Sequence, residues 1–109
     1  MDKINEYLQR TLKVERYPEI NYESQAIRPR MKCADGFEIS VQASDFHYCS
    51  PRVSGNVKYD KVELGYPSIA EPLIVEYAED DEDLTGTVYG WVPVEVVNAV
   101  VERHGGIVN

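Results

Sequence analysis

Apolar and polar positions alternate most strictly between Phe37 and Ser44. Phe37, Ile39, Val41 and Ala43 share one side, and Glu38, Ser40, Gln42 and Ser44 the other. A period of two is the signature of a strand with one buried face. Before it, Ile27, Pro29, Met31 and Cys33 alternate with Arg28, Arg30 and Lys32, so the pattern predicts a hairpin over residues 25–44. Its register follows from sorting the faces. A two-residue loop at Asp35 and Gly36 would set Lys32 opposite Ile39 and mix polar with apolar side chains. A three-residue loop of Ala34, Asp35 and Gly36 sets Cys33 opposite Phe37, Lys32 opposite Glu38, Met31 opposite Ile39 and Arg30 opposite Ser40. That loop places Gly36 at the left-handed position. Pro29 has no N–H to give, which makes the first arm an edge strand.

The rest of the chain is patterned more weakly. Ile4, Leu8 and Leu12 lie four apart with Tyr7 beside them, and Asp2 stands where a cap belongs, predicting an amphipathic helix over Asp2 to Val14. Tyr17, Pro18, Asn21 and Ser24 read as a connector, and residues 45–56 as a loop closed by Ser54, Gly55 and Asn56. Alternation returns from Tyr59 to Tyr66, with Val62 and Leu64 inward. Short strands are expected at Leu73 to Tyr77 and Thr87 to Val92. The last element is a helix with Pro93 in its first turn, Glu95 near its positive end, Arg103 and His104 near its negative end, and Gly105 as a stop. Its β-branched stripe of Val94, Val97 and Val101 is a poor helix former and must pack on the sheet to be stable. The fold class is therefore α+β: an antiparallel sheet of four or five strands flanked by an N-terminal and a C-terminal helix. Residues 1–109 form one domain, with 1–24 as helix and connector and 25–109 as sheet plus C-terminal helix.

Length and composition agree with a single core: 109 residues, 43% hydrophobic and 28% charged. No apolar run is long enough to span a membrane, and the first residues lack an apolar signal core, so a cytoplasmic location is expected, in the host cell if the chain is phage-encoded. Cys33 and Cys49 are expected to be reduced thiols. The formal net charge of −8 is unevenly spread. Residues 62–102 contain acids and no Lys or Arg, including the run Glu79, Asp80, Asp81, Glu82 and Asp83, which should be an exposed loop. Such a surface repels nucleic acid and suits a basic protein; plain solubility is the alternative use of the charge.

Candidate chemistry is sparse. His47 and Cys49 could form an imidazole-activated thiol, but no third member is fixed by local spacing, and catalytic residues are expected to be none. Of the soft ligands Cys33, Cys49, His47 and His104, only His47 and Cys49 are close, at a spacing unlike a zinc hairpin, so no metal is expected. The acidic run lacks the Gly and Glu that a calcium loop needs, and Gly105 and Gly106 follow a helix instead of opening one, so they cradle no phosphate. No cofactor is expected. What remains is the polar hairpin face, Arg28, Arg30, Lys32 and Gln42, with His47, Tyr48 and Arg52 brought beside it by the following loop. Guanidinium forks with amide partners suit a phosphate or carboxylate; an ordinary wet sheet face is the alternative. Among Tyr59, Tyr66, Tyr77, Tyr89 and Trp91, some rings belong to the core and others could stack on a ligand or anchor an interface.

The segments RPRMKCADGF (Arg28 to Phe37), SVQAS (Ser40 to Ser44), HYCSPR (His47 to Arg52) and YGWVPVEVV (Tyr89 to Val97), with His104, Gly105 and Gly106, resemble small uncharacterised proteins of tailed phages and prophages. The resemblance covers about residues 27–107. It implies a phage accessory role, such proteins often countering host defence, and carries no site residues. Two partners follow for a non-enzymatic protein. The first is a small anionic ligand such as a nucleotide signal, held by the hairpin cations. The second is a nucleic-acid-binding host defence protein, engaged by the acidic half in the manner of an anti-CRISPR or nucleic-acid mimic, with residues 79–83 at the interface. The first ranks narrowly ahead because it uses specific residues. Neither direct nucleic-acid nor membrane binding is expected, and a homo-oligomer stays open.

Overall fold

The hairpin pairs in the register that sorts its faces. In the computed structural model, which describes residues 2–109, Met31 lies opposite Ile39 and Lys32 opposite Glu38. Cys33 N–H donates to Phe37 O at 2.8 Å and Gly36 takes φ +96°. The fold is α+β. A helix α1 (Lys3–Arg10) is followed by strands β1 (Val14–Tyr17) and β2 (Tyr22–Gln25), which form a two-stranded ribbon. Strands β3 (Met31–Lys32), β4 (Glu38–Gln42), β5 (Lys61–Gly65) and β6 (Val88–Pro93) form an antiparallel sheet in that order, and α2 (Val94–Arg103) follows directly from β6.

The core lies on one face of the four-stranded sheet. Ile39, Val41, Val62, Leu64, Tyr89 and Val92 are buried there together with Ile4, Tyr7 and Leu8 of α1 and Val97, Val100 and Val101 of α2. Asp2 caps α1, its carboxylate accepting from Asn5 N–H at 3.1 Å. Burial pulls the Asp2 pKa up, but the hydrogen bonds from the Asn5 side chain, the Asn5 N–H and the Asn98 side chain together outweigh it and leave it lowered. At the other end of the fold, Gly106 N–H donates to Val101 O at 2.9 Å with φ +96°, ending α2 by left-handed glycine geometry.

Four sequence expectations need correction. The first helix stops at Arg10, not Val14. The connector from Tyr17 to Ser24 contains the ribbon's turn, a 3₁₀ turn at Pro18–Ile20 followed by Asn21 at φ +49°. Leu73 to Tyr77 is no strand but part of a 3₁₀ helix, Pro72–Tyr77, because Pro72 sets the first turn and the Glu71 carboxylate caps Leu73 N–H at 3.2 Å. Burial there follows a period of three: Ile74 is buried and Tyr77 half-buried, while Leu73 and Val75 are exposed. The first hairpin arm is a strand only at Met31 and Lys32, and before Pro29 its faces invert, leaving Ile27 63% exposed and Arg28 4% exposed.

The edge strand β3 is not open to solvent. Ile107 bridges Cys33, Val108 N–H donates to Lys32 O at 2.8 Å, and the Asn109 side chain accepts from Lys32 N–H at 2.9 Å and donates to Arg30 O at 2.8 Å. The residues after α2 thus act as an irregular fifth strand. No helix of the described residues is long and apolar enough to cross a membrane.

Candidate functional site

Strand β6 carries one more residue than the part of β5 it faces. Val62 pairs with Val92 but Leu64 with Tyr89, so Gly90 and Trp91 together oppose Glu63. This is a β-bulge, and it turns Trp91 outward at φ +50°, a conformation that costs a non-glycine residue about 1–2 kcal/mol. The loop after β4 is fastened over the bulge. Trp91 N–H donates to Tyr48 O at 3.0 Å, and Tyr48 N–H donates to the Glu63 carboxylate at 3.0 Å. The Tyr48 and Trp91 rings stack with centroids 4.8 Å apart, and the Arg52 guanidinium lies 5.7 Å from the Tyr48 ring centre. Gly90 leaves room for this: a Cβ there would stand 3.3 Å from Tyr48 Cβ. Trp91 is nevertheless 47% exposed. The result is a pre-ordered platform of Trp, Tyr and Arg, the three residue types most enriched at binding hot spots.

The hairpin cations do not gather into a surface cluster. Arg28 is buried, its guanidinium donating to Leu8 O at 2.9 Å, Ala43 O at 3.1 Å and Thr11 Oγ1 at 3.1 Å. Burial lowers its pKa, though a guanidinium stays charged at neutral pH. Gln42 is buried beside it, accepting from Arg28 N–H at 2.9 Å and donating to Arg28 O at 2.9 Å. Arg30 pairs with Glu38 at 3.3 Å and donates to Tyr66 O at 2.8 Å. Lys32 is exposed on β3, while Tyr48 sits against β6 at the opposite edge of the sheet with Arg52 over its ring. Of the seven residues singled out from sequence, the structure thus brings Tyr48 and Arg52 together and unites Arg28 with Gln42 in an internal network.

His47 and Cys49 take different hydrogen-bond partners. His47 Nδ1 lies 2.6 Å from the Ser44 hydroxyl, whereas the Cys49 thiol donates to Ser44 O at 3.1 Å. Burial pushes the Cys49 thiol up and the His47 imidazole down, the opposite of what an imidazole–thiolate pair requires. Both cysteines are free and buried. Among the described residues, no group of three or more His, Cys, Asp or Glu side chains is placed to hold a metal ion.

An ionic cluster that sequence reasoning missed, buried at His104 and Glu71 and open to solvent at Asp35 and Arg103, lies at the end of α2. The His104 ring is held between Asp35 and Glu71, with Nδ1 and Nε2 each 2.6 Å from a carboxylate oxygen, and stacks on Phe37 at 4.1 Å. Glu71 is 1% exposed and also lies 3.6 Å from Arg103 Nε. Burial pulls the His104 pKa down, but the bonds to Glu71 and then Asp35 outweigh it and leave it raised. Asp35 is lowered by the Phe37 N–H and by His104. The cluster ties the hairpin loop, the 3₁₀ helix and α2 together.

Glu79 to Asp83 are all exposed, in an ordered turn where Asp80 N–H donates to Thr87 Oγ1 at 3.1 Å and Glu82 N–H to the Asp80 carboxylate at 3.0 Å. A separate groove of about 720 Å³ runs between α1 and α2, and none of the residues predicted as sites lines it. No protein-family model, curated protein or solved structure matches the chain.

Proposed function

We propose that this chain is a non-catalytic binding protein, a phage or prophage accessory factor countering host defence. Its acid-rich half docks on the basic surface of a nucleic-acid-binding host protein. The observation that carries this reading is the Trp91–Tyr48–Arg52 platform, which is exposed, stacked in advance and held by a strained bulge within the acid-rich half. Pre-stacked rings give contact area with little entropy left to lose. Acids without neighbouring cations in the sequence steer a basic partner and hasten encounter. The anion-binding reading, ranked first from sequence, gives way because Arg28 and Gln42 serve the fold and Arg30 has an acidic partner.

The test is capture of host proteins on the immobilised chain, followed by titration of the purified partner at 50 and 500 mM salt. Trp91→Ala is expected to weaken association about 30-fold or more, the scale of a hot-spot truncation. Replacing Glu79, Asp80 and Asp81 with Ser should instead slow association and flatten the salt dependence. Binding indifferent to salt and to Trp91 would rule the reading out.

A further inference from the structure

The ribbon of β1 and β2 stands outside the core. All four β1 residues are exposed, as are Tyr22 and Glu23 of β2, and Val14, Tyr17 and Tyr22 are 46%, 37% and 54% exposed. Two strands alone are marginal in water. Ala26 N–H donates to Lys13 O at 2.8 Å in the register that sets Val14 opposite Gln25. By the alternation of an antiparallel ladder, Glu15 and Ser24 then exchange bonds across the ribbon, and the backbone groups of Glu23 and Gln25 point away from β1. Beside β2 runs a groove of about 290 Å³ walled by Asp45, Phe46, Ser54 and Gly55, with Phe46 50% exposed.

We infer that β2 pairs with β2 of a second copy of this chain, about a two-fold axis at Ser24, joining two ribbons into a four-stranded antiparallel sheet. Self-complementarity selects this occupant. A two-fold axis at Ser24 sets Glu23 opposite the second copy's Gln25 and Tyr22 opposite its Ala26. It thereby engages the two outward-pointing residues and opposes no like charges. The β1 edge fails the same test: its outward residues are Val14 and Arg16, and an axis between them stacks Glu15 on Glu15. Charge agrees, since Arg10, Lys13 and Arg16 balance Glu15, Glu19 and Glu23 in this part of a chain whose net charge is −8. Here two copies can approach without the repulsion the acid-rich half imposes. This surface is separate from the Trp91 platform and stands or falls independently of it.

Symmetric disulfide trapping tests the register. Residues facing each other at a non-hydrogen-bonded position have Cα atoms about 4.5 Å apart, within disulfide reach, and the native cysteines are buried. Under mild oxidation Ser24→Cys is expected to form a covalent dimer at least ten times faster than Glu15→Cys. The wild type should sediment at twice the 12.4 kDa monomer mass. Glu23→Pro, which removes an outward N–H and leaves the bonds to β1, should weaken dimerisation tenfold or more. A monomer at every concentration, faster trapping through Glu15→Cys, or a monomer that takes an unrelated extended peptide along β2 overturns the inference.

Discussion

Arg28 shows how one side chain can look like a site and serve as a strut. Its guanidinium joins the end of α1, through Leu8 O and Thr11, to the end of β4, through Ala43 O. A lysine cannot reach both carbonyls with a fixed fork, and each buried acceptor left bare costs about 1–3 kcal/mol. Arg28→Lys is therefore expected to lower unfolding free energy by about that amount in urea titration, with partner binding by the folded protein unchanged. The two histidines act in opposite directions with pH. His104 is raised, so its contribution is whole below the unfolded value near 6.5 and fades as pH climbs through the folded one; His47 is lowered, so its contribution is whole above that value and fades on acidification. The contributions of these two rings therefore fall off on opposite sides of the free-histidine value, that of His104 above it and that of His47 below it. Ring-proton titration by NMR should find the His104 midpoint above that of a free histidine and the His47 midpoint below it. His104→Ala, which leaves Glu71 buried without its ring partner, should cost about 3 kcal/mol.

Elements divide by how locally they are encoded. The hairpin was legible because Gly36 and a strict alternation specify the loop and the register within a dozen residues, and α2 because Pro93, Arg103 and Gly105 mark both ends. The 3₁₀ helix was misjudged as a strand because Leu73, Ile74 and Val75 are apolar in a row, and only the Glu71 cap and Pro72 distinguish the two. The assignments differ in consequence. Ile74→Ala should cost about 2–4 kcal/mol and Leu73→Ala less than about 1, whereas a strand with Leu73 inward would reverse that order. The ribbon leaves no apolar stripe in the sequence because β1 is exposed throughout and β2 is half-buried only at Ser24 and Gln25; its local signals are the turn residues around Pro18 and Asn21. The Trp91 bulge and the burial of Arg28 were illegible for a different reason. Both are set by partners distant in sequence, Tyr48 for Trp91 and Leu8 and Ala43 for Arg28. Of the residues proposed as a site, Tyr48 and Arg52 had the aromatic and cationic signals that the structure assembles, and Trp91 was noted only among the candidate stacking rings.

For the molecule as a whole, charge acts on folding and on association with opposite signs. A net charge of −8 in 109 residues repels itself, so raising salt from 50 to 500 mM should increase the melting temperature by a few degrees. The same salt should weaken docking on a basic partner, and a pair of thermal-melt and binding series checks both signs on one preparation. The tail that lies along β3 has a practical corollary. Residues 107–109 occupy amide and carbonyl groups that would otherwise template intermolecular strand addition. Removing those three residues should bare the β3 edge and raise the tendency to precipitate on concentration. Light scattering of a variant lacking residues 107–109 would show it.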